Sequence, residues 1–234
     1  MAPRNSSKGA KGAKGAKGAM GRPREFDEGW ALDAAMRVFW EKGYEGASLS
    51  DLTKAMRINR SSMYAAFGDK EQLYRLAFAR YADTALAYLG DALQLTTLRA
   101  VVETILRGTV EFLAQPGNPR GCLSIQGALV TGNEAEGVKQ WMIEFRKRGH
   151  LRMATRFQQA QRDGELSRNI HPADFARYLA TLVQGLGIQG ASGATKPEMH
   201  RMVDLALHFM GTALGPTAPK KPSPRLASQN GGTP

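Results

Sequence analysis

The chain has 234 residues, is 42% hydrophobic, carries a formal net charge of +11 at pH 7 and contains one cysteine. That length suffices for one large or two small domains with a real core. No apolar run approaches the ~18 residues of a membrane helix, no apolar stretch follows the positive N-terminus as a secretory leader requires, and a lone cysteine excludes an internal disulfide, which fits the cytoplasm.

In chain order, residues 1–25 come first, with seven basic residues against Glu25, a net +6. They include four Lys-Gly-Ala units, KGAKGAKGAKGA. A lysine every third residue with glycine between cannot bury a core, so residues 1–20 are expected to form a disordered basic tail. Residues 215–234, rich in Pro, Gly and Ser, read as a second disordered tail with +3, leaving +2 for the body. Next comes a helix from about Asp27 to Lys42, placing Leu32, Ala35 and Phe39 inward and stopping near Gly43. Then follow two short helical patterns. Ser48 with Asp51 opens the first, in which Leu49, Leu52, Ala55 and Met56 share a face; Asn59 opens the second, Arg60 to about Ala66, with Met63 and Phe67 on one side.

Two short helices joined by a three- to four-residue turn form the helix-turn-helix pattern, whose second helix enters the DNA major groove. The outward face of that helix carries Arg60, Ser61, Ser62 and Tyr64. An ordinary helical hairpin is the plainer reading. The remaining elements also run at helical spacing. A helix from Asp69–Lys70 to about Leu93 is followed by one from Thr97 to Ala114, ended by Pro116-Gly117-Asn118-Pro119. A short piece, Cys122 to Val130, precedes a long helix from about Ala135 to Arg162, ended by Asp163-Gly164. His171-Pro172 starts a helix to about Ala191, and Thr195 with Glu198 caps a last one ending near Leu214. Period-2 alternation is missing, so the fold class is all-α with about nine helices.

The segment from Gly21 to Tyr81 resembles the N-terminal domain of the TetR/AcrR family of transcriptional regulators. The matching residues are ALDAAMRVFWEKGYEGASL (31–49), DLTKAM and INRSSMYAAFGDKEQLY, with Tyr64 to Phe67 followed by Gly-Asp-Lys as the most specific part. The resemblance implies a three-helix DNA-binding domain over residues 21–68 and a helical ligand-binding and dimerisation domain over 69–214. It also implies a homodimer on a palindromic double-stranded operator, most often as a repressor released by a small-molecule effector or a redox signal. The family usually has glycine in the turn, where this chain has Arg57; with φ > 0 there, arginine costs roughly 1 kcal/mol. Residues 118–128, NPRGCLSIQGA, resemble a subgroup with Gly-Cys-Leu at this point.

On that basis Arg60 is expected to grip guanine, worth about 1–3 kcal/mol of discrimination. Ser61 and Ser62 are expected at the operator, and Tyr64 on phosphate. Ser48 and Lys70 lie at helix N-termini that favour phosphate, and Arg22 and Arg24 resemble minor-groove arm residues. Candidate effector-pocket walls are Phe112, Cys122, Trp141, Phe145 and Phe157, which core filling explains equally well. Cys122 reads either as a small buried hydrophobe or as an oxidant or electrophile sensor.

Residues 185–190, GLGIQG, match the dinucleotide fingerprint G-x-G-x-x-G, but a helical pattern and not a strand precedes them. The resemblance instead implies a dimer interface for this segment, with Gly185, Gly187 and Gly190, and for Val203 to Phe209, which includes Leu207; packing within one chain is the plainer reading. His150, His171, His200 and His208 lack metal-ligand spacing. The expectation is therefore a regulator with no enzymatic activity, cofactor, metal or membrane partner. The competing reading is a nucleoid-type, non-specific DNA binder driven by the basic tail. A helical enzyme or effector-binding module with a vestigial head is the third.

Overall fold

The computed structural model describes residues 26–126, 132, 135–211 and 213–214. The expected tails at 1–20 and 215–234, Arg22, Arg24 and the end of the short piece at 127–130 lie outside the described residues. Within them there are ten helices and no strand: α1 (Glu28–Gly46), α2 (Leu49–Met56), α3 (Arg60–Phe67), α4 (Lys70–Thr84), α5 (Ala87–Ala92), α6 (Leu98–Leu113), α7 (Leu123–Gln126), α8 (Glu136–Arg162), α9 (Pro172–Ala191) and α10 (Lys196–Met210).

The helix starts follow local side-chain chemistry. Asp27, Ser48, Asn59, Asp69, Thr97 and Thr195 each accept a backbone N–H of the first turn. Such a cap satisfies a donor that the helix leaves open, typically worth about 1 kcal/mol. Ser48–Asp51 and Thr195–Glu198 form reciprocal capping boxes. Gly43, where the sequence predicts a stop, is a kink at φ 69°, and α1 resumes to Gly46.

Two expected helices differ. The one predicted from Lys70 to Leu93 is broken at Ala85–Leu86 into α4 and α5. There the Leu86 N–H donates to Tyr81 O, five residues back, so the ladder slips. No Gly or Pro marks the break; the turned α5 brings the Tyr88 hydroxyl within 2.9 Å of Thr109 Oγ1 on α6. The last helix ends at Met210, not Leu214. Leu214 instead forms an isolated bridge with Leu166 in the turn after α8, and Ser167 N–H donates to Ala213 O at 3.1 Å.

The interior is divided between two hydrophobic cores. The first joins the three N-terminal helices to α4, α7 and the start of α8, through Phe39, Trp40, Leu52, Met63, Tyr74, Phe78, Tyr81 and Met142. The second lies among α6, α8, α9 and α10, through Val102, Leu106, Phe157, Leu179 and Val203. The predicted boundary at residue 68 therefore falls within a continuous core, since α4 packs on α1.

Candidate nucleic-acid interface and regulatory body

In α3, Met63 and Phe67 are buried one helical turn apart, which turns Arg60, Ser61 and Tyr64 outward. Tyr64 is 47% exposed, and Ser62 is half-buried. A hydroxyphenyl ring held in water at that level on the surface of a small domain is available for a partner. Asn59 Oδ1 receives both the Ser62 N–H at 2.8 Å and the Ser61 hydroxyl at 2.7 Å, so the start of α3 is preorganised.

The turn between α2 and α3 explains Arg57. Its backbone is left-handed, φ 55° and ψ 38°, the only positive φ outside glycine among the described residues. Arg57 N–H donates to Lys54 O at 3.3 Å and Ile58 N–H to Thr53 O at 3.1 Å. This is the Schellman pattern, which normally favours glycine. The guanidinium lies 5.2 Å from the Trp30 ring centroid. A cation–π contact of about 0.5–1 kcal/mol offsets most of the backbone cost.

Ser48 sits at the N-terminus of α2, where its hydroxyl accepts the Asp51 N–H at 3.0 Å and donates to the Asp51 carboxylate at 2.7 Å. Lys42 also bonds that carboxylate at 2.6 Å. The Lys42 ammonium, with Ser48 assisting, holds the Asp51 carboxyl well below the usual carboxylate range. Lys70 opens α4 with its ammonium 4.6 Å from the Tyr44 ring centroid. Gly68 ends α3 at φ 75°, a backbone conformation that favours glycine, and Asp69 then caps α4. Arg80 clamps Asp33 with two guanidinium nitrogens, fastening α4 to α1.

Of the five expected pocket residues, Phe112, Cys122, Trp141 and Phe145 belong to the first core or pack on it. Phe157 does not join them: it is fully buried in the second core with its ring 5.3 Å from Phe175. Cys122 Sγ lies 3.0 Å from the Tyr81 hydroxyl and 2.9 Å from Ser124 Oγ. The neighbouring Gly121 carbonyl accepts the Trp40 indole N–H at 3.1 Å. Burial first, then the thiol beside it, pushes the Tyr81 hydroxyl far above its ordinary pKa, so it stays protonated. The thiol thus touches a network that reaches α1 and α4.

The expected dimer residues separate by direction. A Cβ on Gly187 would stand 2.3 Å from Ile125 Cδ1, and one on Gly190 would meet Met199 and Leu113. Gly187 therefore lets α7 and α9 approach closely within one chain, whereas a Cβ on Gly190 would make only ordinary contacts inside the chain. Val203 is buried in the second core, and Leu207 packs partly against it. Only Gly185 faces open space. The exposed apolar residues beside it include Ile188, Leu205 and Phe209, which fall inside the expected stretches 185–190 and 203–209; the sequence reading missed Tyr178 on α9 and Met202 on α10. Phe209 is 67% exposed. Met202, Leu205 and Phe209 recur at spacings of three and four within α10, opposite a face that is apolar too.

No group of three or more His, Cys, Asp or Glu side chains is placed to hold a metal, and no helix is long and apolar enough to cross a membrane, both among the described residues.

Comparison with known proteins agrees with this geometry. A family model described as "Bacterial regulatory proteins, tetR family" matches residues 31–77. The HTH-type transcriptional repressor ComR of Escherichia coli (strain K12) is 28% identical over 193 residues, 81% of this chain and 91% of that protein. The HTH-type transcriptional repressor BdcR of the same organism is 33% identical over 109 residues, 46% of this chain and 55% of that protein. Among solved structures, a cysteine mutant of the TetR family transcriptional regulator CifR, complexed with 26-bp double-strand operator DNA, is similar at a TM-score of 0.76 and 37% identity. The match covers 80% of this chain and 98% of that one.

Proposed function

Since the chain belongs to the TetR family of DNA-binding transcriptional regulators, which are not enzymes, we propose that it acts as a homodimeric repressor of a two-fold-symmetric operator. The observation that carries this reading is the mounting of α3. Met63 and Phe67 anchor it, Asn59 organises its start, and Arg60, Ser61 and Tyr64 face outward. Arg60 reads a base edge while Ser61, Ser62 and Tyr64 complete the contact. Ser48, Lys70, Arg22 and Arg24 hold phosphates or the flanking minor groove. The solved relative on operator DNA supports the assignment of that partner.

Two such heads are paired through the exposed face of Tyr178, Gly185, Ile188, Met202, Leu205 and Phe209. Half-sites about 34–36 Å apart, or a multiple of that, then match one dimer, and a small head rotation releases DNA. The release signal enters through the first core. Modification of Cys122, or an effector against Phe112, Trp141 and Phe145, disturbs the Tyr81 and Trp40 contacts and so moves α1 and α4.

The test is binding of the intact protein to genomic fragments it captures, compared with random DNA. Arg60→Ala should reduce binding to the captured sites and leave the random-DNA affinity nearly unchanged. Equal binding of both DNAs by wild type and variant contradicts the assignment. The basic Lys-Gly-Ala tract favours the nucleoid-type alternative; removal of residues 1–20 would then abolish all binding, whereas a repressor keeps its sequence preference.

A further inference from the structure

A groove of about 470 Å³ runs between α8 and the first turns of α9, lined among others by Ile143, Arg146, Lys147, His150, Leu151 and Arg177. The α8 members recur at three- and four-residue spacing, so they form one face of that helix, and Arg177 closes the groove from α9. The apolar floor comes from buried Ala154 with the half-buried Ile143 and Ala173, and Leu151, 68% exposed, stands at the rim. This volume is within the range of small-molecule sites, about 300–1,000 Å³.

Its charge is positive and largely unpaired. Lys42, Arg75, Arg80, Arg107 and Lys196 each meet a carboxylate. In the groove, Lys147 pairs with Glu144 on its outer edge, but no carboxylate among the described residues lies within ion-pair distance of Arg146, His150 or Arg177. Arg146 is only partly exposed and donates to a neutral acceptor, Ser124 O, at 2.8 Å. Burial lowers its pKa, and burial together with Arg177 lowers that of His150. Like charges gathered on an apolar floor leave a deficit that a bound anion would remove.

We propose that this groove binds an organic anion with a carboxylate or phosphate head and a short apolar chain. Arg146 and Arg177 take the head, with Lys147 at the rim, while Ile143 and Leu151 cover the chain. The proposal deepens the regulator reading and rests on it only for the consequence of binding. A head that draws Arg146 from Ser124 O loosens α7 beside Cys122, and with it the Tyr81 and Trp40 contacts that reach the DNA-binding head.

Calorimetric titration of the intact protein with octanoate, octyl phosphate and octan-1-ol tests this without DNA. Saturable binding of one octanoate or octyl phosphate per chain is expected, with octan-1-ol about tenfold weaker or more. Arg177→Gln and, separately, Lys147→Gln should each weaken the anion and leave octan-1-ol unchanged; both side chains are exposed, so folding is preserved. Preference for carboxylate over phosphate, or the reverse, identifies the head group. No saturable binding of either anion, equal binding of the alcohol, or full affinity in both variants overturns the proposal. Operator binding by the unliganded protein is measured separately, so a failure here leaves the DNA assignment standing and the converse is equally visible.

Discussion

The two cores of this chain are built from different materials. The first, which joins the DNA-binding head to α4, α7 and α8, is a chain of contacting rings: Trp40 on Tyr81 and Phe112, Phe39 on Tyr74, and Phe78 on Trp141 and Phe145. The second, under α6, α9 and α10, is mainly aliphatic, with Phe157–Phe175 its ring pair. Large flat groups with polar handles, such as the Trp40 indole and the Tyr81 hydroxyl, have few rotamers and directional contacts. Packed side chains of this kind have discrete arrangements, so a local change is passed on instead of absorbed. In the proposed regulator this difference divides the labour: the second core supports the face through which two chains would pair, and the first connects it to the head.

The largest expected effect tests the pairing face. Leu205→Asp with Phe209→Asp, both on the exposed face, should convert the protein to a folded monomer by sedimentation and lower operator affinity by about 10²–10⁴-fold through lost bivalency. An unchanged dimer would remove that face from the account. Next are the cores. Phe39→Ala and Phe157→Ala should each cost about 3–5 kcal/mol in denaturant unfolding. Only Phe39→Ala should also weaken specific DNA binding at temperatures where the chain remains folded, and equal effects on DNA binding would erase the distinction between the cores. A smaller effect concerns Arg57. Arg57→Ala keeps the left-handed strain and loses the Trp30 contact, whereas Arg57→Gly loses both. The glycine variant should therefore be more stable than the alanine variant by about 1 kcal/mol, read from the unfolding midpoint. The reverse order would show that the turn is not strained.

How much of this could be read in the sequence depends on the range of the interaction concerned. Ser48–Asp51, Asn59 and Thr195–Glu198 announced helix starts because a cap involves residues three apart. The two-helix motif was legible for the same reason, and Arg57 drew attention because its turn needs φ > 0. The break at Ala85–Leu86 was not legible, since it follows from Tyr88 reaching Thr109 on another helix. Nor was the direction of the glycines in α9. Gly185 and Gly187 are two residues apart, so they project to nearly opposite sides of the helix, and a helix apolar on both sides gives no cue to which is outward. The division into two cores was equally hidden: Phe145 and Phe157 point about 120° apart on one helix, and only the tertiary packing shows that α4 covers one and α9 the other. The lone thiol was visible, while its seat against Tyr81 depends on a contact 41 residues away.

The central claim, that α3 reads a symmetric operator on a paired scaffold, is tested most directly by footprinting the intact protein on the genomic fragments it captures, beside Arg60→Ala. The account predicts protection of two inverted half-sites about one helical turn apart or a multiple of it, and a loss of about 1–3 kcal/mol in the variant at those sites alone. Uniform coverage without symmetry, unchanged by Arg60→Ala and lost when residues 1–20 are removed, would contradict it.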